Sequence, residues 1–262
     1  MAYSRGFDSL AEERDCELPV EGDLPAWLDG TLYRNGPGRF EAGGRTVEHW
    51  FDGLAMLRRF DFGDGVRYTN RYLRTEEYDA WEAGRLGAGQ FGTAPSGLRE
   101  RLRSVVRPEA TDNANVNVLR VGERIVALTE APRMVAADPR TLETRGEFTF
   151  ADDLSGHLTT AHPVRDPHRG ETVNYLVRFG RESEYVVYRL PDGARSRERV
   201  GAVTVDVPAY MHSFGLTGQY VVLVEFPFVV HPLDVLLPWR RGDSFLDLLS
   251  WEPERGTLFR VL

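Results

Sequence analysis

The sequence predicts an all-β protein, and three observations support that fold class. Short runs rich in β-branched and aromatic residues recur along the chain, bounded by Gly, Pro or Asp. The best candidate for an amphipathic helix is a single stretch, 95–106. Turns that place proline beside an acidic residue recur at Pro139, Pro191 and Pro253, at intervals that fit four-stranded blades with their loops. The prediction is therefore a β-propeller, with an all-β sandwich of unrelated hairpins as the alternative.

The clearest strands are expected in four runs. In chain order they are 123–130, 172–179, 184–190 and 220–226. Two segments are expected outside the blades: an N-terminal arm at 1–28, and a polar, Gly-rich insertion at 76–110 that forms a small loop and helix cap. Residues 1–262 are otherwise predicted to form one propeller domain.

Composition excludes several classes of function. The chain has 262 residues, of which 42% are hydrophobic and 27% charged, so it can bury a core. With a net charge of −8 and no basic face, a nucleic-acid partner is not expected. All 32 basic residues are arginine, which suggests a GC-rich or halophilic source.

The segments that bear on the cellular setting give a consistent expectation. Cys16 is the sole cysteine, so a reduced, cytoplasmic setting is predicted. The N-terminus lacks an apolar signal-peptide core, and the most apolar stretch, 221–239, contains Glu225, His231 and Asp234. A membrane-spanning helix is therefore not expected there.

Two glycine-containing segments are interpreted as parts of the fold. RNGPG at 34–38 lacks the Lys-Ser/Thr of a phosphate-binding loop, so a tight turn is predicted. In HWFDG, His49 is expected to hold a turn, and Gly53 to supply a backbone conformation that other residues avoid.

Seven segments, taken in order, resemble a known family. They are LDGTLYRNGPGRF (28–40), HWFDGLAMLRRFDF (49–62), RYTNRYLRTEEY (67–78), NANVNVL (113–119), VALTEAPRMVAADPRTLETRG (126–146), TTAHPVRDP (159–167) and YMHSFGLTGQYVVLVEFP (210–227). Together they are similar to the carotenoid cleavage oxygenases, non-heme iron dioxygenases that split C=C bonds of carotenoids, apocarotenoids or stilbenes. The resemblance implies a seven-bladed β-propeller with a loop and helix cap and with iron on the propeller axis.

The resemblance also implies a metal site. In the family four histidines hold Fe(II); His162 matches the first and His212 the second. Family glutamates accept hydrogen bonds from the ligand rings, and Glu130 matches the first of these and is expected to orient His212. The remaining histidines, His157, His168 and His231 among them, have no matching role.

The apolar stretch after the second histidine resembles the family's rim around the substrate tunnel, where members dock on membranes. Its candidate residues are Phe226, Phe228, Leu236 and Leu237, here called the rim residues. Such docking implies a cytoplasmic protein peripheral to a membrane. A buried strand followed by a packed loop is the alternative.

Family members are about twice as long as this sequence, and their other two iron histidines have no counterpart in it. We therefore expect an incomplete propeller, the N-terminal part of an Fe(II)- and O2-dependent dioxygenase that acts on a hydrophobic polyene. A complementing C-terminal polypeptide would supply the missing ligands. Two alternatives remain: a non-catalytic propeller remnant that binds a polyene or a partner chain, and a different propeller enzyme such as a calcium-dependent lactonase.

Overall fold

The protein is described by a computed structural model over residues 2–87, 90–95, 110–237 and 244–262. Its contacts divide the chain into two compact units. Unit 1 comprises Met1–Gly87, Asp112–Leu128 and Arg133–Phe148, and unit 2 comprises Ala88–Thr111, Thr129–Pro132 and Thr149–Leu262. The helix candidate at 95–106 lies outside the described residues from 96 onward. The prediction of one domain over 1–262 stays a prediction.

Unit 1 is built from two antiparallel four-stranded sheets and a small hairpin. Its strands are β1 (Asp15–Leu18), β2 (Gly30–Arg39), β3 (Glu41–Ala42), β4 (Arg45–Thr46), β5 (Leu54–Phe62), β6 (Val66–Tyr72), β7 (Asn117–Val121), β8 (Arg124–Leu128), β9 (Met134–Ala137) and β10 (Thr144–Phe148). The sheet orders are β1-β6-β5-β2 and β10-β9-β8-β7. Helix α1 (Glu76–Glu82) and the 3-10 helices Ala2–Phe7 and Trp50–Asp52 complete the unit. Part of the predicted N-terminal arm thus forms β1, the outer strand of a sheet.

Unit 2 is also built from antiparallel sheets, but these differ in size from those of unit 1. Its strands are β11 (Leu158–Thr159), β12 (Val164–Asp166), β13 (Glu171–Arg178), β14 (Ser183–Pro191), β15 (Glu198–Val205), β16 (Gly215–Leu216), β17 (Val221–Glu225), β18 (Phe228–Val230), β19 (Leu249–Trp251) and β20 (Leu258–Val261). Strands β13, β14 and β15 form a meander, and both β11 and β12 pair with β13. Further sheets join β16-β17-β20 and β18-β19. Helix α2 (Pro232–Leu236) and the 3-10 helices Leu246–Leu248 and Pro253–Arg255 lie between these strands.

The central strands of each unit are buried along nearly their whole length because both of their faces are covered. In β13 seven successive residues are buried, and every residue of β9 is buried. Tyr175 and Tyr185 are 1% and 0% exposed in the core of unit 2, and Trp81 is fully buried in unit 1. Burying an aromatic side chain of this size removes a large apolar area from water, so these side chains stabilise the units that contain them.

The four predicted strands agree with β8, β13, β14 and β17 to within two residues at each end. Two of the three proline turns are confirmed as hairpins, since β9 pairs with β10 and β14 with β15. The third, at Pro253, also lies between two strands, β19 and β20, but these pair with other strands: β19 pairs with β18, and β20 pairs with β17.

Two predictions about glycine-containing segments are wrong. Residues 34–38 do not turn but lie within β2, which pairs with β5 and has an irregular register between Pro37 and Arg39. Gly53 has an ordinary extended backbone, with φ −63° and ψ 142°. A Cβ there would lie 2.5 Å from Cβ of Pro37 and 2.7 Å from Cε1 of Phe40. Glycine is needed at 53 because two side chains pack against its Cα.

Candidate metal centre

The first predicted ligand, His162, lies in an interruption of a blade strand. Thr159 pairs with Leu176 and Val164 pairs with Val173, so four residues of one strand lie opposite two residues of β13. Extra residues of this kind form a bulge, which turns side chains away from the regular pleat and is common beside functional sites. The bulge, residues 160–163, therefore presents His162 outside the normal strand pattern.

Polar side chains satisfy the backbone where the strand is interrupted. Nδ2 of Asn174 donates to the carbonyl of Thr160 at 3.0 Å, and the hydroxyl of Thr159 donates to the carbonyl of Tyr175 at 2.8 Å. The Thr160 hydroxyl accepts from the backbone N–H of His162 at 3.1 Å. Because buried backbone groups need partners, these bonds fix the path of the bulge.

The second predicted ligand, His212, lies on an extended segment between β15 and β16. Three hydrogen bonds hold this segment in place. The backbone N–H of Tyr210 donates to the carbonyl of Phe228 at 2.8 Å, and that of Ala209 donates to the Tyr185 hydroxyl at 2.7 Å. The Tyr175 hydroxyl donates to the carbonyl of Met211. The first bond joins the segment to β18, and the other two use tyrosines of the buried meander. Strand β13 thus holds both ligand segments of unit 2, and β14 also holds the second.

The two histidines meet in space. Their ring centroids are 4.4 Å apart with an interplanar angle of 61°. Nε2 of His162 is buried and, within the part of the chain that the structure describes, has no hydrogen-bond partner. Burial, followed by the neighbouring His212, lowers the pKa of His162, which favours the neutral imidazole that a metal requires.

Glu130 contacts the other side of His212. Its Oε1 lies 2.7 Å from Nδ1 of His212, and its Oε2 accepts a hydrogen bond of 2.7 Å from the Tyr210 hydroxyl. Since a carboxylate accepts, Nδ1 of His212 carries the proton, and the neutral ring then has its lone pair on Nε2. The Glu130 side chain is 15% exposed. Burial raises its pKa, and the hydrogen bonds from Tyr210 and His212 oppose that increase.

Aromatic side chains surround Tyr210. The ring centroids of Phe91, Phe228 and Phe245 lie 6.3, 6.0 and 6.3 Å from that of Tyr210. This aromatic cluster covers the apolar body of Tyr210, whose hydroxyl reaches Glu130. Burial and the nearby carboxylate of Glu130 raise the pKa of Tyr210 far above its ordinary value, so the hydroxyl stays protonated as a donor.

The rim residues differ in exposure. Phe226 and Leu236 are exposed, at 52% and 39%, whereas Phe228 and Leu237 are half-buried. Phe228 belongs to β18 and packs in the aromatic cluster, while Leu236 ends α2. The stretch therefore combines a packed strand with an exposed short helix, and the docking role stays a prediction.

Three other histidines form hydrogen bonds within the fold. His49 accepts from the N–H of Phe51 at 3.2 Å and caps a 3-10 helix, as expected for a residue that holds a turn. His157 accepts from the N–H of Phe179 at 3.0 Å, and Nε2 of His231 lies 2.6 Å from Glu252.

The donor set of the pair suits a divalent transition metal. Imidazole nitrogens are good ligands for Fe, Zn, Cu and Ni. A buried imidazole nitrogen that has no hydrogen-bond partner in the protein is suited to bind such a metal. Over the described ranges, no group of three or more His, Cys, Asp or Glu side chains is arranged to hold a metal. Among the described residues, the fit is thus to a pair of imidazole donors. Nor does any described helix have the length and apolar character needed to cross a membrane.

Comparison with known proteins decides the family. Residues 7–262 match the family model described as retinal pigment epithelial membrane protein. The chain belongs to this family. Mouse (Mus musculus) β,β-carotene 15,15'-dioxygenase is 33% identical over 273 residues, which cover 94% of this chain and 48% of that enzyme. The chloroplastic carotenoid cleavage dioxygenase 8 homolog A of Oryza sativa is 37% identical over 273 residues, covering 97% and 48%. The resemblance to carotenoid cleavage oxygenases is confirmed.

Solved structures of the family settle the fold. Cobalt-substituted Synechocystis apocarotenoid oxygenase superposes with a TM-score of 0.85 at 28% identity, covering 99% of this chain and 56% of that one. With the predominance of strands described above, this confirms the predicted all-β, incomplete propeller and removes the sandwich alternative. The chain spans about half the length of the curated family relatives it matches.

The sequence analysis missed three residues of the site. Tyr210 and His212 are two apart in the sequence, and both side chains reach Glu130. Asn174 is a polar residue within the apolar run 172–179, which was a visible signal of a strand with irregular pairing. Thr160 carried no signal, because its partner His212 is 52 positions away.

Proposed function

We propose that this chain supplies His162 and His212 as two ligands of an Fe(II) site in a dioxygenase that cleaves a C=C bond of a carotenoid or apocarotenoid. The observation that carries the proposal is the pairing of these histidines, with a buried unpartnered nitrogen on one and a carboxylate on the other. The carotenoid dioxygenases among the relatives give the substrate class.

The proposal assigns each residue a task. His162 and His212 bind the metal through Nε2. Glu130 holds a proton on Nδ1 of His212 and so fixes the tautomer and the ring orientation. Tyr210 holds Glu130 in place, and the aromatic cluster excludes water from their hydrogen bond. When bound, Fe(II) supplies activation of O2, so that its two oxygen atoms add across one C=C bond and two carbonyl products leave.

Two imidazoles leave the ligand set incomplete. The proposal therefore includes a complementing C-terminal polypeptide that carries further ligands and the rest of the propeller. The exposed apolar residues of β20, Phe259 at 63% and Val261 at 60%, support a further packing partner for this sheet.

Iron stoichiometry tests the proposal. Elemental analysis is made on the 262-residue chain, alone and co-refolded with a complementing C-terminal polypeptide. We expect about one iron per complex in the mixture, lost in His162→Ala and in His212→Ala but kept in His231→Ala. If all three variants retain equal iron, the ligand assignment is wrong. If no preparation binds iron, the chain is better explained as a non-catalytic remnant.

The proposal also includes a cytoplasmic setting with peripheral membrane contact. Its support is the exposure of Phe226 and Leu236 and the sole cysteine, Cys16. Replacing Leu236 and Leu237 together by serine is expected to abolish co-sedimentation with liposomes. Val200→Ser, which removes a side chain that is 56% exposed on β15, is the control and should leave sedimentation unchanged. Equal sedimentation of both proteins would exclude the rim residues as the docking surface.

A further inference from the structure

Thr160 is the residue through which the two histidine segments are joined. Its side chain is buried, and the residue is 1% exposed. Its hydroxyl donates to the backbone carbonyl of His212 and accepts from the backbone N–H of His162 at 3.1 Å. A hydroxyl has one proton and two lone pairs, so it can form both bonds at once.

These two bonds act on different parts of unit 2. The bond to the His162 N–H closes a local turn within the bulge, of a type common for threonine. The bond to the His212 carbonyl crosses to the extended segment between β15 and β16. The single hydroxyl oxygen therefore sets the separation between the two backbone positions from which the histidine rings project.

We propose that Thr160 is a positioning residue that holds His162 and His212 at the spacing required to bind one metal ion together. The inference rests on the proposed function, because it takes these histidines as ligands of the same metal. It differs from the role of Glu130, which fixes the ring orientation of one ligand. The hydrogen bonds of Thr160 go to the backbone of both histidine segments, so it acts on the distance between these two segments.

The geometry gives the expected size of the effect. The ring centroids are only 4.4 Å apart. A small shift of one segment would therefore move the two Nε2 atoms too far apart to bind the same metal ion. Residues that support metal ligands without touching the metal typically contribute a factor of about 10 to 100 in metal affinity. For Thr160→Val, which keeps the shape and removes the hydroxyl, we expect the Kd for Co(II) to rise about tenfold.

A buried serine of unit 2 offers a control. Ser183 is also buried, at 0% exposed, and its hydroxyl accepts a hydrogen bond of 3.4 Å from the backbone N–H of Gly180. Gly180 precedes β14 and Ser183 begins it, so this bond lies in neither histidine segment. Ser183→Ala therefore reproduces the loss of a buried hydroxyl in the same unit without loosening the link between His162 and His212.

The experiment uses Co(II) titrations of the 262-residue chain, with NMR of the metal-free protein as a second measurement. In the wild type, ring protons of His162 and His212 should show a direct nuclear Overhauser effect because the rings are in contact. We expect Thr160→Val to weaken both Co(II) binding and this effect. We expect Thr160→Ser, which restores the hydroxyl, to recover both, and Ser183→Ala to retain both. Thr160→Ala serves as a second hydroxyl-free variant if the valine variant melts at a lower temperature.

The possible failures are distinguishable. If His162→Ala and His212→Ala lose Co(II) binding while Thr160→Val retains it, the positioning role is wrong and the proposed function stands. If Ser183→Ala loses as much affinity as Thr160→Val, the effect is a general one of losing a buried hydroxyl in unit 2, and the inference is overturned. If the histidine variants themselves bind Co(II) as the wild type does, the proposed function fails, and the inference fails with it.

Discussion

The ion pair between Asp152 and Arg197 is expected to be a major stabilising contact of unit 2. Both side chains are largely buried, with 12% and 8% exposed. Arg197 donates to the Asp152 carboxylate from Nη2 at 2.7 Å, from Nε at 3.1 Å and from its backbone N–H at 2.6 Å. Its guanidinium also lies over the rings of Phe150 and Tyr188, at 4.3 and 5.1 Å from their centroids. The pair joins the start of β15 to the segment that precedes β11.

Asp152→Asn removes the negative charge and keeps the shape. Breaking a buried pair by removing one partner costs about 3 to 5 kcal/mol, because a buried charge is left uncompensated. Arg197 retains its bond to the carbonyl of Leu154 and its two aromatic neighbours, so we expect the lower end, a loss of about 3 kcal/mol in the free energy of unfolding. Urea denaturation followed by circular dichroism measures it.

The control and the double variant test the reasoning. Asp192→Asn breaks the exposed pair with Arg165, whose side chains are 58% and 47% exposed, and should cost less than about 1 kcal/mol. The double variant Asp152→Asn/Arg197→Met removes both charges and should be more stable than Asp152→Asn alone. If Asp152→Asn costs no more than Asp192→Asn, or if the double variant shows the sum of two large losses, the reasoning is refuted.

The same pair predicts a dependence on pH. Burial tends to raise the pKa of Asp152, but the hydrogen bonds from Arg197 outweigh it, and the pKa lies below its usual value. A carboxyl with a lowered folded-state pKa stabilises the protein above its unfolded pKa of about 4, and that stabilisation is lost as the pH falls through the folded pKa. The stability difference between wild type and Asp152→Asn should therefore be constant near neutral pH and shrink below about pH 4.

Three further outcomes are expected. Gly53→Ala should lower the free energy of unfolding by about 2 kcal/mol through overpacking, whereas Gly65→Ala, whose Cβ meets nothing within 4 Å, should leave the urea midpoint unchanged. Hydrogen bonds from an arginine side chain and two backbone amides lower the pKa of Asp138 to about 2, so its carboxyl should titrate there by NMR; a midpoint near 4 contradicts this contact. Tyr210→Phe should cost about 1.5 kcal/mol of stability, because the buried Glu130 loses a donor, and an unaltered urea midpoint would rule that out.

The strands could be predicted because their signal is local. Buried central strands such as β13 and β14 are rich in β-branched and aromatic residues, so their composition alone marks them. The misplaced turn at 34–38 shows the limit of this reasoning. Gly and Pro suggest a turn, but β2 uses them where its pairing shifts and where packing is close: a Cβ on Gly38 would lie 2.9 Å from Cβ of Met56.

The site could be predicted only as far as family motifs reach. His162, His212 and Glu130 were each identified from the segment that contains them. The contacts that position them join residues far apart in sequence: Tyr210 and Glu130 are 80 positions apart, and Thr160 and His212 are 52 apart. Those contacts depend on how strands are ordered and on where β13 loses its regular pairing. Periodicity and composition do not encode either one directly.

The bulge before β12 has a consequence for how a ligand would bind. Residues 160–163 are held at both ends by the same strand, β13, and inside by the side chains of Asn174 and Thr160. Fixing a residue's backbone costs about 1 to 2 kcal/mol of conformational entropy. For residues 160–163 this loss of entropy occurs when the blade folds and not when a ligand binds. The His162 backbone is thus preorganised: a ligand that binds to its ring has little chain motion left to arrest, so more of the contact energy appears as affinity.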